Sequence, residues 1–274
     1  MKQQQLALNT VSLRGEFVDV LDAVAGAGFR LIEFPVGQVK DYLREHPLSD
    51  VVSLLQAHDL TCVGGFYGGL EISEEKWPAN KATHVEIARI LAELGGGTTQ
   101  NMVVGTDGRS LWDIEDPIAT YAGKVADLAG EIAPLGVNLL IEFNWGAVKT
   151  LTLAAEIARQ SGAANAGVLF DPAHYYCTPT KLADLTPENV AAIKHVHVNN
   201  MRRKPADLSN CNSDRLLPDD PAGAIDLKEL FGALENNGYQ GVFAIEMFSE
   251  ELWSLTPAEA AGRMYRSLLS LSGA

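Results

Sequence analysis

Positive charge is scarce in this chain. Its 274 residues hold 21 Lys and Arg against 35 Asp and Glu, a net charge of −14 with histidine neutral. That sign argues against a nucleic-acid partner, whose phosphates demand a basic footprint, and against an anionic membrane surface. A phosphorylated small molecule remains compatible, because a few local Arg and Lys suffice for a cationic pocket. Cysteine is rarer still: Cys62, Cys177 and Cys211 are odd in number and show no C-x-x-C spacing. They provide neither a disulfide framework nor a zinc knuckle and suit a reducing compartment. No run of roughly 18 apolar residues is present to span a membrane. The opening "MKQQQLALNT" lacks the apolar stretch of a signal peptide, so a cytoplasmic protein is expected. No G-x-G-x-x-G follows the first strand candidate, nothing resembles a P-loop, and "GGG" at 95–97 reads as a helix stop. Linkers, low-complexity tracts and coiled-coil repeats are also missing.

What is present is an alternation. Apolar residues make up 47% of the chain, enough for a large core. Eight short apolar runs read as strands: "LALNT", "FRLIEFPV", "LTCVGGFYG", "TQNMVVG", "VNLLIEFNW", "NAGVLFDPA", "IKHVHVNN" and "GVFAIEMF". Between them lie amphipathic segments such as "EFVDVLDAVAGAG", "ATHVEIARILAELGGG", "PIATYAGKVADLAGEIAPLG", "TLAAEIARQSG" and "DLKELFGALENNGYQG", several ending in the Gly that closes helices. The strands are continuous in their apolarity rather than alternating, as a parallel sheet covered by helices requires. Eight such units predict an α/β protein, a (β/α)8 TIM barrel in one domain over residues 1–274. A doubly wound open sheet is the alternative. The longest irregular stretch, Asn199 to Ala224, follows the seventh strand, and loops of that length are usually functional or disordered.

Polar residues then fall at matching places. Glu142 closes "VNLLIE", Asp171 follows "AGVLF", His197 sits in "IKHVHV" and Glu246 follows "GVFAI". A barrel gathers the C-terminal ends of its strands at one mouth, where active sites lie. Any one of these residues alone reads better as a strand-end group paired with a neighbour. Three carboxylates brought together repel each other, and a cation is their natural compensation. The O,O,O,N donor set suits one divalent metal ion, Mn2+ first, with Mg2+, Co2+ or Zn2+ admitted. His195 and His197, two of only six histidines, share one face of their strand because the side-chain period is two.

On "LLIEFN", "FDPAH", "HVHVNN" and "AIDLKELFGALENNGYQGVFAIE" the chain resembles the sugar isomerase/epimerase-like TIM barrels. These comprise xylose-isomerase-like barrels, ketose 3-epimerases, hydroxypyruvate isomerases and inosose isomerases and dehydratases. The resemblance implies that Glu142, Asp171, His197 and Glu246 hold the metal, with His195 left as supporting wall. It places His174, of the D-x-x-H pair with Asp171, beside metal and substrate. Arg202 or Arg203 is expected on substrate oxygens and Arg215 as an anchor of the long loop. The family loop R-x-x-P-G-x-G-x-I-D is partly kept as "RLLPDDPAGAID", with Asp219 where Gly is common.

A sugar needs aromatic faces for its C–H surfaces and fixed partners for its hydroxyls. Phe66 and Trp145 follow strands directly and are the favoured platforms, ahead of Tyr67, Trp112, Tyr175 and Trp253. Asn144 and Glu33 are candidate polar contacts, Glu33 being equally readable as half of a structural ion pair. The expected reaction is isomerisation or epimerisation of a small sugar, ketose or related polyol by proton transfer through a metal-stabilised enediolate, with Glu142 and Glu246 as the acid/base pair. A carbon–oxygen lyase of the inosose dehydratase type is the alternative, and a non-catalytic ligand-binding barrel a more distant one. An apurinic-site endonuclease needs more histidines and a basic surface. The expected partner is a small-molecule substrate, with no nucleic acid, no membrane, and a homo-oligomer allowed.

Overall fold

The computed structural model describes residues 1–108, 110–144, 146–203 and 212–272, without the side chain of Trp112. Eight parallel strands form the barrel: β1 (Leu6–Asn9), β2 (Leu31–Pro35), β3 (Thr61–Leu70), β4 (Gln100–Thr106), β5 (Val137–Glu142), β6 (Ala166–Phe170), β7 (Ile193–Val198) and β8 (Val242–Ile245). They run in chain order around the wall, and β8 closes it by pairing Leu6, Ala7 and Leu8 of β1 with Phe243, Ala244 and Ile245. Closure excludes the open doubly wound sheet, and the expected (β/α)8 barrel is the fold found.

Alternation along each strand divides the apolar residues into two sets. Leu6, Leu8, Phe243 and Ile245 join the large core between wall and helices. Ala7, Val63 and Ala244 form one small cluster apart from it, and Val103, Leu140 and Leu169 another, with Phe66 packed against the second. These are the inward positions of the barrel, a packed interior rather than a pore. Each buried aliphatic side chain of the outer core contributes roughly 1.5–3 kcal/mol relative to leaving it in water.

The helices begin and end where the sequence signals them. Asp116 accepts from Ala119 N ahead of Pro117–Ile132, Thr150 from Leu153 N ahead of Leu151–Gln160, and Thr256 forms a capping box with Glu259 ahead of Pro257–Leu269. Trp77–Gly95 stops at Gly96 in the left-handed conformation, which confirms the "GGG" stop. Two helices, Val36–Tyr42 and Leu48–Ala57, connect β2 to β3. The segment after β7 is not irregular throughout. Asn200–Met201 pairs antiparallel with Arg215–Leu216, and Arg202 bridges to Gly223. Asn200 fastens the fold-back by donating to Ile225 O and accepting from Ile225 N.

Candidate active site

Four polar residues converge at the C-terminal mouth because each closes or follows a barrel strand. Glu142 is the last residue of β5, His197 lies one residue before the end of β7, and Glu246 directly follows β8. Asp171 follows β6 and opens a helix. Its Oδ1 accepts from Ala173 N at 2.7 Å while Pro172 takes the first helical position, where a missing N–H costs nothing. That helix, Pro172–Cys177, sets His174 three residues on, with Nε2 4.0 Å from Asp171 Oδ2.

Donor atoms of Glu142, Asp171, His197 and Glu246 all lie within 4.8 Å of one another. His197 Nδ1 faces all three carboxylates, at 3.2 Å from Glu246 Oε2, 3.6 Å from Asp171 Oδ2 and 4.0 Å from Glu142 Oε1. Asp171, His197 and Glu246 are buried, and Glu142 keeps 13% of its side chain exposed toward the mouth. His197 Nδ1 and Asp171 Oδ2 make no hydrogen bond, although Arg215 Nη1 stands 2.9 Å from that Oδ2 as an ion pair.

The surrounding groups fix the carboxylates one by one. Glu142 Oε1 is 3.0 Å from His174 Nε2, whose Nδ1 is 3.3 Å from Asn144 Nδ2. Asn144 reaches it from a left-handed backbone (φ 82°) in the turn after β5. Asn9, ending β1, donates to Glu246 Oε1 at 3.2 Å, and Asn199 donates to Asp171 Oδ1 at 3.0 Å. Arg215 Nη1 donates to Glu246 Oε2 at 2.7 Å, and its guanidinium lies over Phe248. Deeper in the barrel, Glu33 Oε2 is 3.1 Å from both His195 Nε2 and His197 Nε2.

The electrostatics follow from this crowding. Burial opposes ionisation of Asp171, yet Arg215, His174 and His197 outweigh it and hold the carboxyl well below its usual range. Burial likewise opposes ionised Glu33, and His197 and His195 keep it charged. For His197, burial lowers the affinity for a proton, but Glu246, Glu33 and Asp171 raise it well above the ordinary histidine value. Arg215 pairs with Asp171 and Glu246, while Glu142 and Glu33 rest on histidines.

This donor set fits a divalent ion. Three carboxylates and one imidazole are aimed at a common point, two of their buried donor atoms lack hydrogen bonds, and negative charge is in excess. Ion binding at His197 would release a proton.

Other expected site residues fall in varied places. Arg202 and Arg203 are exposed, and the Arg202 backbone N–H donates to Asp214 O. Phe66 packs on the inner cluster and is half-buried. Glu33 is wholly buried with its carboxylate on two imidazoles, the geometry of the ion-pair reading. Trp145, the Trp112 side chain and residues 204–211 lie outside the described residues. Tyr67 stands edge-on to His84, Tyr175 beside Phe170, and the Trp253 ring lies under the Arg14 guanidinium at 3.8 Å. Sequence reasoning missed Asn9 and Asn199, although each follows an apolar run as the carboxylates do. It read Arg215 only as a loop anchor, whereas the side chain is buried against two of the quartet's carboxylates.

A closed parallel barrel with an acidic, metal-competent cluster at its C-terminal mouth defines the class: an α/β barrel whose site is built from strand ends. The chain belongs to the xylose isomerase-like TIM barrel family, whose model matches residues 21–270. It is 25% identical over 242 residues to an inosose isomerase of Bacillus velezensis, covering 85% of this chain and 83% of that relative. It is 30% identical over 134 residues to an inosose isomerase of Halalkalibacterium halodurans, a match spanning 47% of this chain and about half, 46%, of that relative's length. Among solved structures, the IolI protein with a bound zinc atom superposes with a TM-score of 0.87 over 97% of each chain, at 21% identity, a likeness of fold. No helix among the described residues is long and apolar enough to cross a membrane.

Proposed function

We propose that this chain is a divalent-metal-dependent isomerase or epimerase of a small keto-polyol, with cyclic inososes the first substrates to try. The observation that carries this reading is the convergence of Glu142, Asp171, His197 and Glu246 donor atoms within 4.8 Å at the barrel mouth. The two relatives named inosose isomerases support the substrate class.

Those four residues would hold the ion. Bound there, it supplies Lewis acidity, which acidifies a C–H beside a carbonyl and stabilises the negative charge left behind. Glu142, the more accessible of the two glutamates, takes the proton from the substrate carbon, and Glu246, entering the cycle with a proton, gives it to the other side. The pair is reset when Glu142 loses its proton to solvent and Glu246 regains one. Return to the opposite face epimerises the carbon; return to its neighbour, with a proton passing between the two oxygens, isomerises the substrate. Asp171 has its Oδ1 occupied by Ala173 N and Asn199, which leaves Oδ2 as its ligand oxygen. Asn144, through His174, fixes the orientation of Glu142.

A second reading rests on His174. Its Nε2, 3.0 Å from Glu142, is placed to protonate a departing hydroxyl, which would make the reaction a dehydration of the inosose dehydratase type. One assay serves both. Protein stripped with a chelator and reloaded separately with Mn2+, Mg2+, Co2+ or Zn2+ is incubated with inososes and ketoses, and products are read by NMR. Turnover is expected only after reloading, with Asp171→Asn inactive at metal levels that saturate the wild type. A product with a new C=C bond would select the lyase. Undiminished turnover by rigorously metal-free protein would contradict both readings.

A further inference from the structure

We infer that Glu33 and His195 form a positioning pair that sets which nitrogen of His197 faces the metal; the inference rests on the reading of the quartet as a metal site. The sequence supplies the pieces far apart. His195 and His197 lie on one face of β7, and Glu33 lies on β2, with β8 and β1 between them in the wall. A carboxylate can cross that gap only where the intervening inward side chains are small. Ala244 stands in register with His197, Ala7 with Ala244, and both belong to the small inner cluster. The space they leave admits Glu33, and all three polar side chains are essentially excluded from solvent.

The geometry gives each His197 nitrogen its own task. Nε2 lies 3.1 Å from Glu33 Oε2 and 3.3 Å from Oε1, so it donates there. Nδ1 is thereby turned toward Glu246, Asp171 and Glu142 and makes no hydrogen bond. His195 stands edge-on to His197, with ring centroids 5.7 Å apart, and donates its own Nε2–H to the same Glu33 oxygen at 3.1 Å. Its contribution is to pin the carboxylate so that Glu33 cannot rotate away from His197. A carboxylate behind a ligating imidazole fixes its tautomer and raises its basicity, and losing one typically costs about 10- to 100-fold in metal affinity. The histidine pattern thus yields one ligand and one support.

Glu33, His195 and His197 also bring three donor atoms within 4.8 Å of one another, a second group with the reach of one ion. The pairing proposed here requires instead that the wild type bind a single ion per chain, on Nδ1 of His197. The test combines affinity with a spectroscopic readout. Folded Glu33→Gln and His195→Gln variants are titrated with Co2+ against a chromophoric chelator. Each is expected to bind about 10- to 100-fold more weakly than the wild type, with a shifted visible Co2+ spectrum. In wild type loaded with 113Cd2+ and labelled with 15N-histidine, cadmium coupling should appear at Nδ1 of His197 while Nε2 keeps its proton. That measurement needs no variant to fold. Unchanged affinity and spectrum in both variants, or two ions per chain, would overturn the pairing and leave the quartet reading intact, whereas coupling through Nε2 would place the ion with Glu33 and His195 and overturn both. A wild type that binds no divalent ion would sink both.

Discussion

Glu142 and Glu246 bring the same carboxylate into different surroundings. Glu246 accepts from Arg215 and Asn9, faces His197 Nδ1 at 3.2 Å, and leaves 5% of its side chain exposed. Glu142 leans on His174 and keeps 13% exposed. In the proposed reaction both exchange protons, so Glu142→Gln and Glu246→Gln should each lower kcat by about 10²- to 10⁴-fold at saturating metal. The two variants should differ in their side effects. Glu246→Gln also removes the anion beside Arg215, and a buried guanidinium that loses one of two partners is destabilised. It should therefore weaken metal binding and lower the melting temperature more than Glu142→Gln does. Steady-state kinetics with thermal melts of both variants checks this, and full activity in both would refute the acid/base assignment.

At the scale of elements, the turn after β5 is the piece on which orientation depends. Asn144 (φ 82°) and Gly146 (φ 91°) flank it in left-handed conformations, and a Cβ on Gly146 would stand 1.8 Å from Thr106 O. No rotamer relieves a clash with backbone, so Gly146→Ala should destabilise by more than about 1 kcal/mol. It should also lower kcat, because Asn144 and His174 lose their register on Glu142. Denaturant unfolding together with kinetics would show both losses; a stable, fully active variant would make the turn incidental. The barrel strands were legible because strands covered on their outer face read as unbroken apolar runs, and a charge ending such a run marks the mouth. Glu142, Asp171, His197 and Glu246 stood out for that reason. Arg215 did not. It reaches the site through a two-residue strand pair held by Asn200, and two residues carry no periodicity to detect. Glu33 was ambiguous for another reason: whether it meets substrate or histidine depends on the width of the barrel interior, which Ala7 and Ala244 set from other strands.

For the molecule as a whole, closure of the barrel turns residues spread over more than two hundred positions into one site. Asn9 on β1 and Glu246 after β8 touch only because the first and last strands pair. The excess of acid over base in the whole chain recurs locally, where Arg215 pairs with Asp171 and Glu246 while Glu142 rests on His174, and this local excess is what a divalent ion would balance. The proposed chemistry is removal and return of a carbon-bound proton by those carboxylates, and one measurement addresses it directly. Metal-loaded protein is incubated with an inosose in deuterium oxide, and the carbons adjoining the ketone are followed by NMR, with Glu142→Gln and Glu246→Gln as comparisons. Solvent deuterium should enter at one of those carbons at a rate matching turnover, and exchange should fall with kcat in both variants. An inosose that is turned over by the wild type with no solvent deuterium on carbon would contradict proton transfer by these carboxylates.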